Sequence, residues 1–194
     1  MHYFAELFAA GLRKLGMEPQ AGIFFDTVTV PVGGNLRKIV KAAGKLGINL
    51  RVVDKKHLGV SMGENTKVAD ISDLLTVFNL GQPHGLDLDA LGKSVDARYD
   101  ERVRRTSDFL THPTFSKYHS ETEMLRYMRK LESRDLSLTH SMIPLGSCTM
   151  KLNASAEMYP VTWREVGGIH PFAPAEQTLG YQSMFVRLEK ALAE

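Results

Sequence analysis

A chain of 194 residues, 43% hydrophobic and 24% charged, is long enough to bury one or two cores and has an ordinary globular composition. Its net charge of +2 is unevenly spread: ten Lys and Arg stand against seven Asp and Glu over residues 1–80, six against six from 81 to 117, and eight against nine beyond. No basic stripe with interleaved aromatics accompanies that charge, which argues against nucleic-acid binding, and Lys55-Lys56 and Arg104-Arg105 read as solvated charges.

No apolar run approaches the roughly 20 residues needed to span a bilayer, so no membrane segment is expected. The first residues carry His2 and Glu6 without a cationic region or a cleavage signal, which argues against secretion. The single cysteine, Cys148, excludes an intramolecular disulfide and a cysteine-rich zinc site, and fits a reducing intracellular compartment.

In chain order, Phe4, Leu7, Phe8, Leu12 and Leu15 share one face at helical spacing, and Gly16 follows as a stop. Residues 22–31 are β-rich, with Phe24, Val28 and Val30 alternating with Phe25, Thr27 and Thr29; two apolar faces predict a central strand. Gly33-Gly34 then opens a helix with Leu36, Ile39, Val40, Ala43 and Leu46 on one stripe, closed by Gly47. Such a pair can cradle phosphate at a helix start, but no fuller glycine motif surrounds it and a plain strand-to-helix turn is the favoured reading.

Ile48, Leu50 and Val52 predict a second strand, and Leu58, Val60 and Met62 a third, with Asp54-Lys-Lys56 as the hairpin turn. Asn65 or Thr66 is expected to cap a helix carrying Val68, Ile71, Leu74, Leu75 and Phe78. The order α-β-α-β-β-α over residues 1–80 is a compact α+β domain, so the fold class is α/β in the broad sense. From 81 to 118 the periodicity weakens, predicting an inter-domain connector with one short helix at 98–108.

Residues 119–194 read as mostly helical. Ser120-Glu-Thr-Glu123 is a capping box, and the helix after it is expected to bury Met124, Leu125, Met128 and Leu131. A last helix is expected from Pro174 or Ala175 to the end, with Tyr181, Phe185, Leu188 and Leu192 inward.

Between these helices lies the stretch Ser141 to Asn153, Ser-Met-Ile-Pro-Leu-Gly-Ser-Cys-Thr-Met-Lys-Leu-Asn. Pro144 and Gly146 bracket a dense set of short polar groups, Ser147, Cys148, Thr149, Lys151 and Asn153, beside Met142, Ile143 and Leu152. That mixture suits a pocket wall, since loops held on a rigid scaffold carry ligand-contacting groups. Cys148 with His140 or His170 makes a conceivable nucleophile pair, yet no constellation lowers the thiol pKa, and a pocket-lining thiol is favoured. Lys151 lacks the partners a cofactor-bearing lysine needs, so no catalytic residue is assigned. The seven histidines, at 2, 57, 84, 112, 119, 140 and 170, show no ligand spacing, so no metal site is expected. His119 reads first as a helix-entry residue bonded to backbone, His170-Pro171-Phe172 as a rigid turn, and Trp163 as core.

The Ser141–Asn153 run resembles the glycine-decarboxylating P-protein family of the glycine cleavage system, which depends on pyridoxal phosphate. The likeness extends through Tyr118-His-Ser-Glu-Thr-Glu-Met-Leu-Arg-Tyr-Met128, Thr162-Trp163, Ile169-His-Pro-Phe172 and Gly180-Tyr-Gln182, and more weakly to Asn79 and Phe25-Asp-Thr27. Gly167-Gly168 departs from the bulkier residues that the resemblance implies there. The resemblance implies an internal piece of that larger protein. Residues 1–80 would be the small C-terminal domain of a first fold-type-I half, 81–118 the connection, and 119–194 the start of the catalytic half. The lysine that holds pyridoxal phosphate would lie beyond Glu194, leaving this piece inactive alone.

It further implies glycine as substrate, the lipoylated H-protein as acceptor of the aminomethyl group, and the remaining P-protein chain or subunit as partner. A bacterial or archaeal member would be cytoplasmic and a eukaryotic one mitochondrial. Thr149 and Asn153, then Ser147 and Lys151, would present donors to substrate or cofactor, with Cys148, His119 and His170 beside the same pocket. A reading from another class makes the α+β unit a small regulatory or protein-interaction module, with the remainder as an arm.

Overall fold

A computed structural model describes residues 1–20, 22–134 and 155–193. The apolar stripe near the start becomes helix α1 (His2–Lys14), which buries Leu7, Phe8 and Leu12. Strand β1 (Thr27–Pro31) leads through a short 3-10 turn into helix α2 (Leu36–Lys45). Strands β2 (Arg51–Val52) and β3 (His57–Ser61) follow, then helix α3 (Val68–Phe78). The predicted order α-β-α-β-β-α is therefore the observed one.

Both strand pairings are antiparallel, Val28 opposite Val60 and Val30 opposite Leu58 on one side, Arg51 opposite Gly59 on the other. The sheet order is β1-β3-β2, so β3 is central and β1 lies at an edge. This corrects the expected central position of the 22–31 strand. The strand proper starts only at Thr27, where Val28 and Val30 are buried and Thr27 and Thr29 half-buried. Phe25, which gave the second apolar face, lies before it and stacks instead on His2 (5.8 Å). The His2 ring also stacks on Tyr99 at 5.0 Å, and its Nδ1–H donates to the Phe25 carbonyl at 2.8 Å.

One face of the sheet and the inner stripes of α1, α2 and α3 enclose a common core around Phe8, Leu12, Ile39, Leu58, Ile71, Leu75 and Phe78. Phe8 and Phe78 meet edge to face at 5.4 Å. Each such side chain contributes about 1.5–3 kcal/mol by leaving water. Helices α1 and α3 approach closely at Gly11, where a Cβ would stand 2.7 Å from both Leu75 methyls.

Three helices end in the same hydrogen-bonded motif. Met17 N–H donates to Leu12 O and Gly16 N–H to Arg13 O after α1; Ile48 and Gly47 do the same to Ala43 and Gly44 after α2. After α3, Gly81 N–H donates to Thr76 O and Leu80 N–H to Val77 O. The pivot residue has positive φ each time, but the third pivot is a leucine, Leu80, at 57°. At the other end of α3 neither Asn65 nor Thr66 is the cap. Lys67 occupies that position, and the Asp70 carboxylate accepts its N–H at 2.7 Å.

The stretch after residue 80 holds a helix in a place other than expected. Helix α4 (Leu88–Ser94) packs on α1, and the predicted helix at 98–108 is absent. Asp87 starts α4 by accepting from Asp89 and Ala90 N–H, both at 3.0 Å. Beyond it, Asp96 pairs with Arg98 and Asp100 with Arg102, two residues apart in each case. Residues so spaced do not face each other on a helix, so these pairs hold turns instead. The arginines hold both carboxyls at about 2.

The chain divides into two compact units, Met1–Arg105 and Thr106–Glu194. In the second, a 3-10 turn at Pro113–Ser116 precedes helix α5 (Glu121–Glu132). Then come helix α6 (Ser155–Thr162), helix α7 (Arg164–Gly167), a 3-10 turn at Ala175–Gln177 and helix α8 (Leu179–Ala193). The capping box is realised: Ser120 Oγ accepts the Glu123 N–H at 3.2 Å and the Glu123 carboxylate reaches back to Ser120 N–H at 3.3 Å.

The expected burial in this unit is not found. Met124, Leu125, Met128 and Leu131 of α5 are exposed, as are Phe185, Leu188 and Leu192 of α8, and Trp163 is 56% exposed. Periodicity records which face a helix offers but not what covers it, and among the described residues nothing covers these. Among the described residues, no helix is long and apolar enough to cross a membrane.

Candidate cofactor and substrate pocket

Of the residues that sequence places at a pocket, Ser147, Cys148, Thr149, Lys151 and Asn153 lie outside the described residues. His119 and His170 are described, and each is engaged by its own turn. His119 Nε2–H donates to Ser116 O at 2.8 Å just before the capping box. The neighbouring Glu123 carboxyl is held below its ordinary value, first by the Ser120 hydroxyl and then by the Ser120 N–H. His170 Nδ1 accepts the Phe172 N–H at 3.0 Å, and Ala173 N–H donates to His170 O at 2.9 Å. The bond at Nδ1 leaves the ring proton of a neutral His170 on Nε2. For His119 this is the backbone-bonded, helix-entry role read from sequence; for His170 the turn is present, whereas sequence alone predicts it to be anchored by the aromatic ring of Phe172. Phe172 extends away at 90% exposure, so the turn is not anchored by burial of that ring.

Around His170 the backbone is tightly drawn. A Cβ at Gly167 would stand 2.8 Å from Val161 O, and one at Gly168 2.6 Å from Arg164 O. Bulkier residues would strike backbone carbonyls at this helix end, which accounts for the Gly-Gly pair here. The Tyr181 hydroxyl donates to Val166 O and ties α8 to α7. A cavity of about 310 Å³ opens beside this tie, lined by Glu165, Val166, Ile169, Thr178, Tyr181 and Met184. Its lining is mostly apolar and includes one carboxylate, that of Glu165.

The first unit holds a larger concavity, about 470 Å³, between α2 and the end of α3. Lys38, Lys41 and Lys45 line it with Ala42, Leu46, Val77 and Leu80. Sequence reading passed over it, because the two walls are more than thirty residues apart; the signal available was a helix with four cations and no acid. Gly33, by contrast, spends its N–H on Lys56 O at 3.2 Å, as a strand-to-helix turn requires and a phosphate cradle would not.

Pyridoxal phosphate needs a lysine amine, a carboxylate at its ring nitrogen and a group of donors for its phosphate. No such set converges in the cavities of the described residues: the lysine-lined groove has no carboxylate in its wall, and neither the cavity at Glu165 nor one lined by Asp70 and Asp73 has a lysine. The described residues therefore do not form a seat for that cofactor. Among them, no three His, Cys, Asp or Glu side chains are placed to hold a metal ion either.

Comparison with known proteins bears on the chain as a whole. A family model described as "Glycine cleavage system P-protein" matches residues 1–78. The "Glycine dehydrogenase (decarboxylating)" of Photobacterium profundum is 50% identical over 99% of this chain and 20% of its own length. A Nostoc punctiforme protein of the same name is 49% identical over 100% of this chain and 20% of its own. The mouse protein named "Glycine dehydrogenase (decarboxylating), mitochondrial" is 44% identical over 100% and 19%. The chain thus spans about a fifth of the length of the curated relatives it matches. Likeness at this level over essentially the whole chain leads to one conclusion: the chain belongs to the glycine cleavage system P-protein family.

Proposed function

We propose that this chain works as one part of a pyridoxal-phosphate-dependent glycine decarboxylase, an oxidoreductase that passes the aminomethyl group of glycine to the lipoyl arm of H-protein. The observation that carries the reading is near-50% identity, over the whole chain, to proteins named glycine dehydrogenase (decarboxylating). Residues 1–80 would serve as the small domain of a first fold-type-I half, 81–118 as the connection and 119–194 as the start of the catalytic half. The cofactor would sit mainly on parts of the enzyme other than the described residues, since neither the lysine-lined groove nor the cavity at Glu165 brings a lysine and a carboxylate together. When bound, pyridoxal phosphate supplies the electron sink for loss of carbon dioxide.

In this reading, the contribution of this chain is a wall. Thr149 and Asn153, with Ser147 and Lys151, would donate hydrogen bonds that orient the substrate, while Cys148 fills space among them. His119 and His170 would hold the chain entering α5 and leaving α7, through the backbone bonds described above. A bacterial or archaeal source would make the enzyme cytoplasmic and a eukaryotic one mitochondrial, as the name of the mouse relative has it.

The test is a chimera in which these 194 residues replace the aligned fifth of the Photobacterium profundum relative. Glycine-dependent release of carbon dioxide, with lipoylated H-protein present, is expected to persist. A chimera that folds and binds the cofactor but releases none would contradict the proposal.

A further inference from the structure

Helix α2 carries Arg37, Lys38, Lys41 and Lys45 and no acidic residue. All four side chains are exposed. Like charges at i, i+3 and i, i+4 destabilise a helix unless something answers them. Three arginines of the same unit are answered by carboxylates, Arg13 by Glu18, Arg98 by Asp96 and Arg102 by Asp100. Among the described residues, Lys38, Lys41 and Lys45 meet no carboxylate, yet all three turn into one groove of about 470 Å³.

The far wall adds shape to the charge. Leu80, just beyond α3, lines the groove with Ala42 and Leu46 over the buried Val77, giving a small apolar floor beside the lysines. Leu80 is held there in a left-handed backbone conformation that a leucine rarely adopts, and Asn79 Nδ2 fixes the following turn through Gln82 O and Pro83 O at 3.1 and 3.0 Å. Lys38 to Lys45 spans two helical turns, about 10 Å.

We propose that this groove docks an acidic amphipathic segment of a separate protein, with carboxylates meeting the three lysines and one or two apolar side chains on the floor. Permanent interfaces are the more apolar kind, whereas a charged rim around a small apolar floor suits reversible, electrostatically steered association. The groove holds no aromatic ring on which a base could stack, which sets nucleic acid aside. The inference does not rest on the glycine-cleavage reading.

The experiment uses the full 194-residue chain and a fluorescein-labelled helical peptide of about four turns, with Glu spaced to match the lysines and Leu between them. Fluorescence anisotropy is expected to saturate with the Glu peptide. Affinity should fall about tenfold or more with the Gln version of the peptide, with rising salt, and with K38E/K41E/K45E of unchanged melting temperature. If reversal of three charges disturbs folding, K38Q/K41Q/K45Q is read instead, with the same expectation in weaker form. Binding that either folded variant leaves unchanged overturns the proposal. So does an oligothymidylate that binds tighter than the peptide and loses its affinity in the same variants.

Discussion

Gly11 of α1 and Leu75 of α3 touch so closely that a single added carbon at Gly11 would stand 2.7 Å from both methyls of Leu75. Leu75 is fully buried and central to the core, so it has nowhere to go. Glycine inside a helix ordinarily costs about 1 kcal/mol relative to alanine, and here that cost secures the approach of two helices. Gly11→Val is expected to destabilise the first unit by about 1–3 kcal/mol through overpacking, read as a lowered denaturant midpoint with little change in slope. A midpoint equal to that of the natural chain would show that the helices part without cost.

Leu80 occupies a backbone conformation that Gly16 and Gly47 occupy in the matching position after α1 and α2. The left-handed form costs a non-glycine residue about 1–2 kcal/mol. Leu80→Gly is therefore expected to raise the stability of the first unit by about 1 kcal/mol, the gain in backbone strain being partly offset by the lost apolar contact. Because Leu80 floors the lysine groove, the same variant should weaken acidic-peptide binding while melting higher. A lower melting temperature would contradict the strain argument.

Asp54 organises the turn between β2 and β3, accepting from Lys56 N–H at 2.7 Å, His57 N–H at 2.9 Å and His57 Nδ1 at 2.8 Å. The Lys56 N–H first, then the His57 side chain, holds its carboxyl below the ordinary 3.8. A group whose folded pKa is depressed stabilises the fold above its unfolded value, and that contribution is lost as pH falls through the depressed value. In an NMR titration the Asp54 carboxyl and the Lys56 amide are expected to move together with a midpoint under 3.8. A midpoint at or above it would mean that the turn is not held by the carboxylate.

What sequence reveals here follows the range of the forces involved. The α-β-α-β-β-α order was legible because helical stripes, strand alternation and the stops at Gly16 and Gly47 act over a few residues. The capping box at Ser120 was legible for the same reason. The edge position of β1 was not, because it depends on Phe25 leaving the strand to meet His2 and Tyr99, partners far away in the chain. Helix α4 announced itself only by Asp87 before Leu88, a signal outweighed by the surrounding glycines and prolines. The short helix expected at 98–108 is absent, and the charges there close local Asp–Arg turns instead. At the candidate pocket, the local roles of His119 and His170 were readable, whereas the lysine groove needed α3 to be folded against α2.

The account stands or falls on whether the short polar side chains between Gly146 and Asn153 act on substrate. The most direct measurement is kcat for glycine decarboxylation by the chimera carrying Thr149→Ala, taken beside its melting temperature. One lost donor at a developing charge is worth about 2.7–4 kcal/mol, so kcat is expected to fall by about 10²–10³ with the melting temperature nearly unmoved. An unchanged kcat in the folded variant would remove Thr149 from the site and contradict the assignment of this segment to the pocket wall.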